Sequence, residues 1–272
     1  MIAESRLDCR ASFDASESIT DNMTRPARAP ILALLLLAAC AAPSPPLPPT
    51  PPGVDPTPFS GAAIAGSIPA GWVPYRLMRF TRPTEYRLVE SEGTVAVKAV
   101  ARAAASGLQH GVSVDLHDYP WLEWRWKVPK LIDGADSSFG YVEDSPARII
   151  VTFEGGRERL PAFEQINFDL ALAITGHELP YATLMYVWAN AMREGEIITH
   201  PRSDRVKMIV AGNDRKDLGV WHEELHNVLE DYRRAFGEDP PRVKSVGIMS
   251  DSDTTGSYAE AYFGDIHFLR SP

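Results

Sequence analysis

The sequence predicts a mainly β protein built as one jelly-roll β-sandwich, and three observations predict it. Apolar residues recur with period two over short runs; clusters of Gly, Pro, Asp and Ser separate those runs; and no alternation of strand-like with helix-like segments is present. The runs lie at 94–100 (TVAVKAV), 112–116 (VSVDL), 121–128 (WLEWRWKV), 147–153 (ARIIVTF), 182–189 (ATLMYVWA), 206–211 (VKMIVA), 243–249 (VKSVGIM) and 258–268. Residues 59–272 suit a single sandwich, for they hold no second low-complexity linker and no internal repeat. One amphipathic helix is expected near residues 219–236, where Trp221, Leu225, Val228, Leu229, Tyr232 and Phe236 recur at helical spacing and Gly237 follows as a stop.

Composition removes several function classes. The chain of 272 residues carries 27 Lys and Arg against 36 Asp and Glu, a net charge of −9 with no basic excess to hold nucleic acid. Its two cysteines are Cys9 and Cys40, so nothing beyond residue 40 can form a disulfide, a thiolate zinc site or a cysteine nucleophile. No G-x-S-x-G elbow, phosphate loop or dinucleotide loop occurs.

The N-terminus gives an address. Residues 31–39 are an apolar run preceded by Arg25 and Arg28 and followed by Cys40. The run is too short to span a bilayer, which takes about 20 helical residues, but it suits a signal-peptide core. Leu37-Ala38-Ala39-Cys40 resembles the lipobox of bacterial lipoproteins, in which the Cys sulfur takes a diacylglycerol and becomes the mature N-terminus. Residues 1–22 are polar and precede Met23, from which a basic leader begins, so they read as an extra leader or a misplaced start. Residues 23–39 are then the signal peptide and 40–58 a tether. From 43 to 58, nine of sixteen residues are proline, a polyproline II spacer of about 50 Å. Position 41 is Ala rather than the Asp that favours inner-membrane retention, which points to the outer membrane, facing the periplasm.

Several blocks, in order, resemble one bacterial family. They are Trp124-Arg125-Trp126-Lys127-Val128; 179–184 (LPYATL) with Tyr186-Val187-Trp188; Asp231-Tyr232-Arg233-Arg234 with Phe236-Gly237; 249–256 (MSDSDTTG); and Gly264-Asp265-Ile266-His267-Phe268. Over about residues 71–268 the chain resembles the family filed as domain of unknown function 3047. The resemblance implies an envelope or secreted protein with a jelly-roll, galactose-binding-like sandwich, and brings no reaction or ligand. It also leads one to expect an Arg-like residue at 226, where this chain has His226.

Three constellations carry chemistry. In the run 121–128, alternation places Leu122, Trp124, Trp126 and Val128 on a core face and Trp121, Glu123, Arg125 and Lys127 on a charged face. An aromatic plane beside charged groups suits a sugar ring and its hydroxyls, while ion pairs to neighbouring strands would explain the charges equally. The segment 251–256 (DSDTTG), with Asp251 and Asp253 two residues apart, opens like a calcium loop without an EF-hand Glu. Asp144, with Asp133, Asp136 and Asp265, could complete a structural calcium site or a polar pocket, though a turn bonded by Asp and Thr side chains is the commoner outcome. Finally, His222-Glu223-Glu224-Leu225-His226 is a literal H-E-x-x-H which, on a helix, would put both imidazoles on one face for zinc. No third ligand is evident, since Leu229 and Tyr232 replace the extended pattern and Glu238 lies past the stop at Gly237.

The expectation is therefore a lipid-anchored envelope protein with a non-catalytic domain binding a glycan or small ligand through Trp121, Arg125, Lys127, Asp144, Asp251 and Asp253. The alternatives are a carbohydrate-active enzyme with carboxylates near Arg125 and Asp144, a zinc hydrolase through His222 and His226, or a structural envelope protein whose groove meets another protein.

Overall fold

In the computed structural model, residues 53–272 are described apart from 65–67, 77–79, 137–142, 176–177, 191, 201–202 and 214–217. The expected signal segment, Cys40 and the proline run as far as residue 52 lie outside the described residues. Two sheets face each other. The larger has seven strands in the order β1 (Trp72–Tyr75), β4 (Ala105–Val114), β11 (Val243–Asp251), β6 (Arg148–Phe153), β7 (Ala182–Trp188), β9 (Val206–Gly212) and β8 (Ile197–Thr199). The smaller has five: β10 (His222–Asn227), β5 (Trp121–Lys127), β12 (Tyr258–Leu269), β3 (Thr94–Arg102) and β2 (Glu85–Ser91). All pairs are antiparallel except β7 with β9. The chain crosses repeatedly between the sheets, at β1–β2, β3–β4, β4–β5, β5–β6, β9–β10, β10–β11 and β11–β12, as in a jelly roll.

Local chemistry sets these elements. Strands β2 and β3 are joined by the two residues Glu92-Gly93, both at positive φ (55° and 81°), the conformation whose twist matches a two-residue hairpin. Between the sheets, alternate residues form the main core: Leu122, Trp124 and Trp126 of β5 face Leu184, Tyr186 and Trp188 of β7. Strands β6 and β7 are buried along their whole length because a second apolar cluster, including Ile150, Met185, Val187, Met208 and Met249, lies on the outer side of the seven-stranded sheet. Burial on both faces is why these two runs read as nearly continuous apolar sequence.

The domain takes in the end of the expected tether. Gly53 O accepts the amide of Ser113, Asp55 Oδ1 accepts that of Phe268 at 2.7 Å, and Phe59 is fully buried in the main core. Asp265, considered for a metal or polar pocket, instead receives the amides of Phe59 and Ser60 at 2.6 and 3.0 Å.

The helix expected at 219–236 is corrected. Residues 222–227 form the edge strand β10, and only α2 (Val228–Phe236) is helical. Asn227 caps it by accepting the Glu230 amide, and Gly237, at φ 72°, ends it. The apolar spacing of the expected helix holds for its second half, whereas His222 to His226 alternate half-buried and exposed, pairing with β5. A second helix, α1 (Ala162–Thr175), arises where none was expected.

Candidate functional site

Strand β5 is built as expected: Leu122, Trp124 and Trp126 are buried, while Trp121, Glu123, Arg125 and Lys127 face outward from the five-stranded sheet. Register then defines a row across that outer face. Lys98 of β3 pairs with Tyr262 of β12, which pairs with Lys127 of β5, and Trp221 immediately precedes the β10 residue opposite Trp126. The Lys127 ammonium lies 4.9 Å from the Tyr262 ring centre and 5.2 Å from that of Trp221; the Arg125 guanidinium lies 4.7 Å over Trp221. Trp221 and Tyr262 meet edge to face at 6.4 Å.

Two of the cations are already engaged. Lys98 pairs with Glu260 at 2.6 Å and donates to Tyr262 Oη at 2.9 Å; Lys127 donates to Ser91 Oγ at 2.9 Å and to Glu92 Oε1 at 3.0 Å, tying β5 to the tip of the β2–β3 hairpin. Glu260 also accepts from Tyr258 and Tyr262, and these donors with Lys98 hold its carboxyl below the usual range although burial opposes them. Arg125 differs: among the described residues its guanidinium stacks on Trp221 without a carboxylate partner.

Trp121 stands apart, opposite Asn227 and Leu269 at the other end of β5. The aromatic that meets Arg125 and Lys127 is Trp221, which the sequence reading had assigned to a helix. Tyr262, too, was missed, although 258–262 (YAEAY) places Tyr258, Glu260 and Tyr262 on one strand face.

The acidic residues form a second cluster, on the outer side of the seven-stranded sheet. Asp144, Asp251 and Asp253 each offer a carboxylate oxygen within 4.8 Å of the others. Yet Asp251 is held on both oxygens by buried Arg148 (Nε to Oδ1 3.0 Å, Nη2 to Oδ2 2.9 Å). Asp144 receives the amides of Thr254 and Thr255 at 3.2 and 2.8 Å and the Thr255 hydroxyl at 2.6 Å. Burial pushes the Asp251 carboxyl up to about 6, against the pull of Arg148. The three carboxylates converge, and Arg148 with the Thr254 and Thr255 amides engages Asp251 and Asp144, as in a turn bonded by Asp and Thr side chains. The six expected binding residues therefore form two groups on opposite outer faces rather than one site, and Arg125 with Asp144 cannot share a reacting bond.

The H-E-x-x-H sequence lies on a strand, where four residues span about 13 Å rather than the roughly 6 Å of a helix, too far for His222 and His226 to share one zinc ion. Their side chains instead pack against aromatic rings. His222 meets Trp188 edge-on at 4.9 Å, and His226 stacks on Trp124 at 5.0 Å. His226 Nδ1 lies 3.5 Å from Asp231 Oδ2 and Nε2 lies 3.5 Å from Glu224 Oε2; Asp231 further accepts from Tyr186 Oη at 2.9 Å and Arg234 Nη2 at 2.8 Å. His226 thus sets an imidazole between two carboxylates at the position where an Arg-like residue is expected.

Burial alone would lower the His226 pKa, but Asp231 and Glu224 outweigh it and raise it above 6.5. A raised folded-state value means that this stabilisation is complete below the unfolded value and is lost as pH rises through the folded one. Urea unfolding of wild type and His226→Gln between about pH 6 and pH 9 is expected to show the wild-type advantage shrinking as pH rises; a pH-independent difference would refute the linkage.

Fold and surface together define a jelly-roll β-sandwich domain with an aromatic and cationic outer sheet face. The family model described as "Protein of unknown function (DUF3047)" matches residues 70–267, and the chain belongs to that family. Among solved structures it is similar to "Cellulose induced protein, Cip1", at 11% identity and a TM-score of 0.33, covering 76% of this chain and 94% of that one. It is also similar to the Emp47p carbohydrate recognition domain, at 8% identity and a TM-score of 0.33, covering 79% and 95%. No curated protein matches.

Proposed function

We propose that the domain is a non-catalytic glycan-binding module carried by a lipoprotein of the bacterial envelope, anchored through Cys40 and facing the periplasm from the outer membrane. The observation that carries the glycan reading is the Trp221–Tyr262 pair beside Arg125. Aromatic rings offer a face to the C–H side of a sugar, and a guanidinium stacked on one of them keeps its donors for hydroxyl or carboxylate groups. A binding surface on an outer sheet face, rather than in an enclosed cavity, suits a polymer.

Retention on a panel of immobilised neutral and acidic polysaccharides tests the reading. Trp221→Ala and Arg125→Ala are each expected to weaken binding about tenfold or more, with unchanged unfolding midpoints, whereas Trp121→Ala should bind as wild type does. Full retention by Trp221→Ala, or no retention of the wild type on any polymer, would overturn the assignment.

A further inference from the structure

Helix α1 carries an apolar stripe that no described residue covers. Phe163, Ile166 and Leu170, spaced three and four apart and hence on one face, are 71%, 64% and 57% exposed. The opposite side holds the helix in place: Phe168 is buried in the main core, and Glu164 accepts the Asp204 amide at 2.9 Å and the Ser203 hydroxyl at 3.1 Å. Single exposed apolar side chains are ordinary, but three in line on an anchored helix form a contact surface.

The position of that helix says what the surface meets. It lies in the connection from β6 to β7, so it leaves the seven-stranded sheet at the end marked by Phe153, Ala182, Val243 and Val114, which are register neighbours. The chain joins the domain at that same end, where Gly53 O accepts the Ser113 amide and Arg242 reaches Ser113 and Asp115. Between Cys40 and Gly53, thirteen residue steps reach about 45 Å at most when fully extended. A lipid on Cys40 therefore limits the distance from this end of the sandwich to the lipid to about 45 Å. Next to α1, Arg157 and Arg159 are exposed; Arg157 pairs with Asp169 at 2.8 Å, and Arg159 has no acidic partner among the described residues. Glu158, also exposed, and Asp169 balance these charges, so it is the apolar stripe itself, with long Arg side chains at its edge, that suits the boundary between headgroups and acyl chains.

We propose that the Phe163, Ile166 and Leu170 face of α1 docks into the lipid surface to which the chain is anchored, turning the five-stranded sheet's outer face toward its ligand at a fixed height. The inference rests on the Cys40 anchor reading, and the two are separable by experiment. The full chain with Cys40→Ser has no lipid of its own, so its flotation with phosphatidylethanolamine and phosphatidylglycerol vesicles reports the helix alone. Flotation is expected, and Phe163→Asp, Ile166→Asp and Leu170→Asp combined should reduce it about tenfold or more. In a chain with both native cysteines replaced by Ser, Ile166→Cys labelled with an environment-sensitive fluorophore should shift to the blue on adding vesicles. No flotation and no shift would overturn the proposal. A shift that instead follows protein concentration without vesicles would also overturn it, since a second copy would then cover the stripe. Labelled palmitate supplied to cells making the wild-type chain tests the anchor separately: absence of label would overturn the anchor and the shared orientation, while the vesicle result still judges the helix.

Discussion

Arg148→Ala is expected to lower the stability of the domain by about 3–5 kcal/mol, a magnitude characteristic of a buried ion pair that loses one partner. The side chains of Arg148 and Asp251 are 4% and 7% exposed, and Asp144 and Asp253 stand beside them. Without the guanidinium, the carboxylates face one another in a poorly solvated pocket where burial already disfavours their charge. Thermal unfolding at neutral pH should show a midpoint lower by about 10 °C, taking 2–4 °C per kcal/mol for a domain of this size. The double variant Arg148→Met with Asp251→Leu should recover much of the loss, because two apolar side chains of similar volume need no compensation. A single variant as stable as wild type would show that the pair is solvated and that its bidentate geometry contributes little.

Trp124→Ala is expected to cost a similar amount, about 3–5 kcal/mol, by a different route. Trp124 is 1% exposed and joins the two sheets: its ring lies 5.5 Å from Trp126, 4.9 Å from Tyr186 of the facing sheet and 5.0 Å from His226. Alanine removes the ring on which His226 stacks and leaves a cavity beside the cluster of Asp231 and Glu224. Trp124→Phe should be distinctly milder, since the indole N–H has no hydrogen-bond partner among the described residues and its loss leaves nothing unpaired. Equilibrium urea unfolding of both variants decides this; equal losses for Ala and Phe would show that the shape of the indole, not the ring contact in general, sets the packing.

The eight alternating runs all became strands because burial of one face leaves a period-two record in the sequence; β5 shows this most clearly. The elements that escaped are those whose neighbours determine them. Strand β1 contains Pro74 at a sheet edge, and β8 is three residues long, so neither has a pattern long enough to read. The β10 segment was misread because Leu225 continues the apolar spacing of α2; in the fold Leu225 is 41% exposed and the half-buried positions belong to His222, Glu224 and His226, polar residues that no hydrophobic period can reveal. Helix α1 was missed for a related reason, since its stripe of Phe163, Ile166 and Leu170 faces away from the core. At the candidate site, Arg125 and Lys127 were legible on the strand that bears them. Trp221 was not, because its meeting with Arg125 depends on which strand lies beside β5, and pairing between segments about a hundred residues apart is not written in either segment alone.

The position of the last strand governs when this fold can exist at all. Strand β12 ends three residues from the C-terminus and lies in the middle of the five-stranded sheet, between β5 and β3, while β11 lies in the middle of the other, between β4 and β6. Until residues 243–269 have been synthesised, β4 and β6 have no shared partner, nor have β3 and β5, and four inner faces remain without a core. Closure of both sheets therefore waits for β11 and β12. Such a sequence is slow to fold by topology, its pairings being remote in sequence.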